Sequence, residues 1–129
     1  MSPPPFQNLQ KQRTGLRRMW HALTFSRDGL CAAWQEKAFR TEASLCLLLL
    51  PLGLWLGQSW LERIFLVATL VLVLVTELLN SAVEAAIDRY GPEWHALSKA
   101  AKDMGSAAVL LTLVLCVCAF AAAAYARFA

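Results

Sequence analysis

Thr76-Glu77-Leu78-Leu79-Asn80-Ser81-Ala82-Val83-Glu84-Ala85-Ala86-Ile87-Asp88 decides how the rest of the chain is understood. It follows without a break on residues 64–75, twelve residues with no charge and one hydroxyl, Thr69. That apolar run is too short to cross a bilayer, which needs about 20 residues. A spanning helix must therefore continue through Glu77 and on towards Glu84. Carboxylates at membrane depth are costly, so they face a bundle interior or a polar cavity and mark function. At about 100° per residue, Glu77, Asn80, Glu84 and Asp88 fall on one stripe about 80° wide.

The chain has 129 residues, 58% of them hydrophobic, with a mean hydropathy of +0.49. That composition departs from an ordinary soluble domain. Three segments can span a bilayer: residues 43–61, 64–88 and 105–126. Outside them lie residues 1–42 and a loop at 89–103, too little for a separate soluble domain. The expectation is one all-α membrane domain. Residues 1–42 carry seven Lys/Arg against Asp28, Glu36 and Glu42, a balance of +4; the remainder carries five basic and six acidic residues, −1, giving the chain its +3. By the positive-inside rule the N-terminus is cytoplasmic, and the 89–103 segment, with Arg89, Lys99 and Lys102, returns to the same side. No cleavable signal is expected. Cys31, Cys46, Cys116 and Cys118 lack metal-type spacing and are taken as small hydrophobes.

Pro3-Pro4-Pro5 opens a tail expected to be disordered. From Leu16, the residues Leu16, Met19, Trp20 and Leu23 share a helical face, with Arg17, Arg18 and His21 elsewhere. That pattern suits an amphipathic helix in the membrane interface. A break is expected near Thr24-Phe25-Ser26, with Ser26 or Asp28 capping a second helix. Glu36 and Arg40 are spaced for an i,i+4 ion pair. Pro51 and Gly53 can bend the first span, Trp55 and Trp60 suit an interfacial belt, and residues 57–63 form the outer turn. Arg89-Tyr90-Gly91-Pro92 stops the second span. A short polar helix is expected over residues 93–103, and Asp103 then caps a new helix.

The carboxylate stripe is compatible with two classes of function. One is a proton or ion conduit through an oligomer. The other is an interfacial enzyme, with carboxylates as base and metal ligands. Glu77 lies about 10 Å deeper than Glu84. A charged mouth leading to one deep carboxylate favours a water-soluble cosubstrate meeting a lipid hydroxyl. Phosphoryl transfer needs a metal, phosphate neutralisation and a base. Magnesium takes few carboxylates plus phosphate oxygens and water, which Glu84 with Glu36 can supply, and Lys102 can meet a phosphate. Walker-type and protein-kinase glycine loops are both absent from the sequence.

Residues 77–89, followed by Lys102-Asp103-Met104-Gly105-Ser106-Ala107-Ala108-Val109, resemble the prokaryotic diacylglycerol kinase family. Ala32-Ala33-Trp34 and Ala38-Phe39-Arg40-Thr41-Glu42 extend the likeness, which covers about residues 15–126. The resemblance implies a homotrimeric bundle in the bacterial inner membrane, each protomer having an amphipathic surface helix and three transmembrane helices. It implies magnesium-dependent transfer of the γ-phosphate of ATP to diacylglycerol, with active sites shared between protomers and no nucleic-acid partner. By the same resemblance, Glu77 is the general base and Asn80 positions the hydroxyl or γ-phosphate. Glu36 and Glu84 bind the metal and, through it, ATP. Lys102 and Asp103 contact the nucleotide, as do Glu93, Trp94 and His95 in the loop, together with Arg18 and Phe25. Trp34, Ala38, Phe39, Arg40, Glu42 and Ser106 lie near lipid or phosphate, as does Arg18. Phe25 departs from the family, which often has Tyr there. Undecaprenol kinase is the related alternative, sharing the core motif and differing in lipid preference.

Overall fold

The computed structural model describes residues 16–129, with side chains described from Trp20 onward. The tail containing Pro3-Pro4-Pro5 and the side chain of Arg18 lie outside the described residues. Among the described residues four helices follow one another: α1 Leu16–Ala33, α2 Lys37–Leu56, α3 Trp60–Asp88 and α4 Ala96–Phe128. The all-helical expectation is met. Helix α1 belongs to one compact unit, and α2, α3 and α4 form a second, Ala33–Ala129.

Helix α1 is a correction to the two-helix expectation, since it runs unbroken through Thr24-Phe25-Ser26. The Thr24 hydroxyl donates to the Trp20 carbonyl at 3.2 Å and the Ser26 hydroxyl to the Ala22 carbonyl at 2.9 Å. Both hydroxyls bond back along the helix, so neither offers a cap to a new one.

The three helices of the second unit are each long and apolar enough to cross a membrane. Their lengths of 20, 29 and 33 residues correspond to about 30, 44 and 50 Å. A hydrocarbon core about 30 Å thick is matched by α2 and overshot by α3 and α4. Helices α3 and α4 are thus long enough for their polar ends to extend past such a layer. The extent of α4 also corrects the third-span expectation: residues 96–103 are the first turns of α4, not a separate polar helix.

The outer turn is shorter than the expected residues 57–63, because α3 already begins at Trp60. Ser59 is its N-cap. The Ser59 hydroxyl accepts from the Glu62 N–H at 3.2 Å, and Glu62 Oε2 accepts from the N–H groups of Ser59 at 3.3 Å and Gln58 at 2.7 Å. This capping box satisfies backbone donors that would otherwise be orphaned at the helix start. Arg63 closes the turn by donating from Nε to the Gly57 carbonyl at 2.9 Å.

Helix α3 is central, packing against α4 most extensively and then against α2. Cys46 of α2, Leu70 and Val73 of α3 and Cys116 of α4 form the core, with Leu49, Leu50, Leu74 and Phe120 around them. The buried cysteines behave as the small hydrophobes expected of them, and all four cysteines are unpaired. Thr69, buried in α3, donates to the Leu66 carbonyl at 2.7 Å, so its hydroxyl is satisfied within the apolar layer. Most of the apolar surface of α4 remains exposed, including Leu110, Leu111, Val114 and Val117. So large an apolar surface requires a bilayer or further protein to cover it.

Candidate active site

The polar stripe of α3 is partly buried in the helical unit. Glu77 is 4% exposed and Asn80 9% exposed, although the first carries a carboxylate. One turn on, Glu84 is half-buried, and Asn80 Nδ2 donates to Glu84 Oε1 at 3.2 Å. Asn80 Oδ1 is buried without a hydrogen-bond partner. Gly105 of α4 lies directly against it: a Cβ at that position would sit inside the van der Waals envelope of Asn80 Oδ1. Absence of a side chain at 105 is thus what lets α4 close over the stripe.

Helix α2 brings a second buried carboxylate atom. Glu42 is half-buried, and its Oε2 has no hydrogen-bond partner. Unpartnered polar atoms at such depth carry a desolvation cost. Two of them, from α2 and α3, make this end of the unit a candidate site for a polar ligand. At the start of α2, Glu36 is the N-cap residue but makes no side-chain cap bond. The expected Glu36–Arg40 ion pair is replaced by another arrangement. Arg40 Nη1 donates to the carbonyls of Trp34 at 2.9 Å and Gln35 at 2.8 Å. The guanidinium therefore ties down the turn before α2, and the Glu36 carboxylate stays exposed.

Beyond the stripe, the end of α3 and the start of α4 enclose an open cleft of about 600 Å³, within the range of small-molecule sites. Asp88, Glu93, Trp94, His95, Lys102 and Asp103 contribute to its walls. The turn between the helices is made by Gly91 at φ 110°, a left-handed conformation that disfavours any side chain. His95 is the N-cap of α4, its Nδ1 accepting from the Leu97 N–H at 3.2 Å. Lys102 and Asp103 lie in the second turn of α4, and each is engaged. Lys102 Nζ reaches Asp88 Oδ1 at 2.5 Å, and Lys99 Nζ reaches Asp103 Oδ2 at 2.5 Å. The capping role expected of Asp103 is accordingly corrected. Helix α4 starts at Ala96 under the His95 cap, and Asp103 pairs along the helix instead.

The structure thus brings Glu77, Asn80 and Glu84 together on α3, and places Glu93, Trp94, His95, Lys102 and Asp103 around one cleft. Of the α2 residues, Phe39 is buried, Arg40 and Glu42 are half-buried, and Ala38 is exposed; Trp34, in the turn before α2, is exposed. Ser106 is exposed on α4. Phe25 lies on α1, its ring 6.4 Å from that of His21. Among the described residues, no three His, Cys, Asp or Glu side chains converge on a metal position. Magnesium does not require such a cage, since it keeps several waters and binds through one or two carboxylates plus substrate phosphates. The donor set fits an ion shared with phosphate and does not fit one held by protein alone.

Two features went unseen in the sequence. Gly105 lies against Asn80; with Ser106, Ala107 and Ala108 its small size points to close helix packing, but not to the residue it meets. The Asp88–Lys102 pair joins residues 14 positions apart on two helices, which no periodicity reveals.

Known proteins resemble this chain over most of its length. The profile described as prokaryotic diacylglycerol kinase matches residues 24–124. The diacylglycerol kinase of Escherichia coli K12 is 46% identical over 105 residues, covering 81% of this chain and 86% of that protein. The diacylglycerol kinase of Pseudomonas aeruginosa is 46% identical over 116 residues, covering 89% and 91%. That of Haemophilus influenzae is 44% identical over 103 residues, covering 79% and 87%.

Proposed function

The chain belongs to the prokaryotic diacylglycerol kinase family, and from that premise we propose that it transfers the γ-phosphate of ATP to the primary hydroxyl of diacylglycerol, giving phosphatidic acid and ADP. The observation that carries this reading is the depth order on α3. A buried Glu77 is followed by the Asn80–Glu84 hydrogen bond and then by a charged cleft at the helix end. A lipid hydroxyl approaches from the apolar side and a nucleotide from water, and the stripe is where they meet.

In this proposal Glu77 accepts the proton of the lipid hydroxyl as the hydroxyl oxygen bonds to the γ-phosphorus. The bond from that phosphorus to the β-phosphate oxygen breaks, and ADP departs with the electron pair. Asn80, fixed through Glu84, orients the attacking hydroxyl or the γ-phosphate. Lys102 meets phosphate oxygens, and Glu93, Trp94 and His95 border the nucleotide. Glu36 and Glu84 are the residues that would hold magnesium, which when bound neutralises phosphate charge. Arg18 and Phe25 on α1 are assigned to the nucleotide. Trp34, Ala38, Phe39, Arg40, Glu42 and Ser106, with Arg18, are assigned to the lipid side.

The same reading makes the chain a single inner-membrane domain with a cytoplasmic N-terminus, supported by the excess of Lys/Arg before residue 43. It lays α1 in the interface and assembles three copies, with sites shared between protomers. The exposed apolar surface of α4 supports burial of that kind. The test is a phosphorylation assay with labelled ATP, magnesium and solubilised protein, offered diacylglycerol and undecaprenol separately. Label in phosphatidic acid is expected. Label in undecaprenyl phosphate alone would move the assignment to that lipid, and ATP-independent ion flux in liposomes without labelled lipid would replace the kinase with a conduit.

A further inference from the structure

Asp88 is the fourth member of the α3 stripe and the one to which the family resemblance gives no task. It is the last residue of α3, and its carboxylate Oδ1 lies 2.5 Å from Lys102 Nζ in the second turn of α4. The obvious explanation is that it anchors the loop between the helices. The loop, however, is fixed without the Asp88 side chain. The Tyr90 N–H bonds to the Ile87 carbonyl at 3.0 Å, and the Gly91 N–H bonds to the Asp88 backbone carbonyl at 3.2 Å. Gly91 supplies the left-handed turn and His95 caps α4. A solvent-exposed ion pair adds little to this, and Asp88 is largely exposed, its side chain 65% accessible.

What the pair does determine is the location of a charge. Lysine carries an ammonium on a flexible four-carbon stem and loses much rotamer entropy when one position is imposed. Lys102 is the less exposed partner, its side chain 38% accessible, and it lies on the wall of the cleft. Of the other carboxylates lining the cleft, Asp103 is occupied by Lys99 at 2.5 Å, and Glu93 lies in the loop before α4. The pairing is therefore sorted, Asp88 with Lys102 and Asp103 with Lys99, all four around one cleft. An ammonium has three N–H donors. One directed to Asp88 leaves two for other acceptors.

We propose that Asp88 is a positioning residue for the nucleotide: its carboxylate holds the Lys102 ammonium at the cleft wall, so that the two remaining donors meet phosphate oxygens already ordered. The proposal rests on the assignment of Lys102 to phosphate. Its sign is open to direct challenge, because a carboxylate beside a phosphate-binding lysine also repels phosphate and competes for the same charge. Pre-ordering makes loss of Asp88 weaken nucleotide binding, whereas competition makes that loss strengthen it.

The experiment compares Asp88→Asn, Asp88→Glu, Lys102→Gln and the double variant Asp88→Asn/Lys102→Gln in the solubilised full chain. Turnover is measured against magnesium-ATP, and binding of a non-hydrolysable ATP analogue is measured by calorimetry. Asp88→Asn is expected to raise KM and the analogue Kd about three- to tenfold, the scale of one rotamer-rich side chain ordered in advance. The expected kcat stays within about twofold, because the interaction serves binding, and the thermal midpoint stays within about 2 °C. Asp88→Glu should recover most of the affinity, and Asp88→Asn should add nothing once Lys102 is glutamine. Unchanged or tighter binding in Asp88→Asn overturns the proposal while Lys102→Gln still weakens ATP. An equal effect of Asp88→Asn in both backgrounds also overturns it. If Lys102→Gln itself leaves ATP affinity unchanged, the phosphate assignment falls and the proposal with it.

Discussion

Replacing Gly105 by alanine should disable the site while leaving the fold recognisable. The added Cβ would fall within the envelope of Asn80 Oδ1, 3.2 Å from Asn80 Cγ and 3.8 Å from its Cα. Asparagine is too short to swing a flexible end away, and Asn80 is 9% exposed, so there is little space to swing into. Either α4 lifts from α3 or the amide turns and loses its 3.2 Å hydrogen bond to Glu84. Overpacking of this kind costs about 1–3 kcal/mol, which lowers the thermal midpoint by roughly 3–10 °C. Displacing a positioning group by about 1 Å costs on the order of 10²-fold in rate, so kcat should fall about that far. The assay is diacylglycerol phosphorylation at saturating ATP, with melting followed on the same preparation. Asn80→Ala/Gly105→Ala should regain the lost melting temperature without regaining turnover, since it removes the clash and the amide together. A Gly105→Ala protein with kcat within about threefold of the parent would refute the reasoning.

Glu77→Gln keeps the shape and removes the base; kcat should fall by about 10²- to 10⁴-fold while the ATP analogue still binds by calorimetry. Near-normal turnover would remove Glu77 from that role. Glu84→Gln should raise the magnesium concentration needed for half-maximal activity by about tenfold or more, and an unshifted magnesium titration would contradict the ligand assignment. Ser59→Ala removes half of the capping box at the far end of α3. It should cost about 0.5–2 kcal/mol in stability, seen as a lower melting temperature, with KM and kcat for both substrates unchanged.

The spans were legible because hydropathy and length act within one segment and need no knowledge of neighbours. Their ends were less so. The signature Ser59-Trp60-Leu61-Glu62 is a capping box in plain sequence, yet aromatic and charged residues there resembled a turn. At Thr24 and Ser26 the same kind of residue led the other way. A hydroxyl can cap a helix or bond back to its own turn, and the sequence does not say which. The start of α4 was displaced because Asp103 resembles a cap, while the true cap is His95, a residue type with weaker preference for that position.

For the site, periodicity was informative along α3 and silent across helices. A 3.6-residue repeat places Glu77, Asn80, Glu84 and Asp88 on one stripe, and the structure joins two of them directly, Asn80 to Glu84. It cannot place Gly105 against Asn80 or Lys102 against Asp88, since those contacts depend on the rotation of α4 about its own axis. Arg40 makes the same point locally. Its spacing from Glu36 allowed an i,i+4 ion pair, but the guanidinium found two carbonyls at the end of the preceding turn. The half-buried Arg40 gains two fixed carbonyl acceptors in this way, where a solvent-exposed ion pair would add little. Glu36 is released by that choice. A carboxylate exposed at a helix start, without a cap bond and without its expected cation, is what the magnesium role proposed for Glu36 requires, and its exposure follows from where Arg40 points.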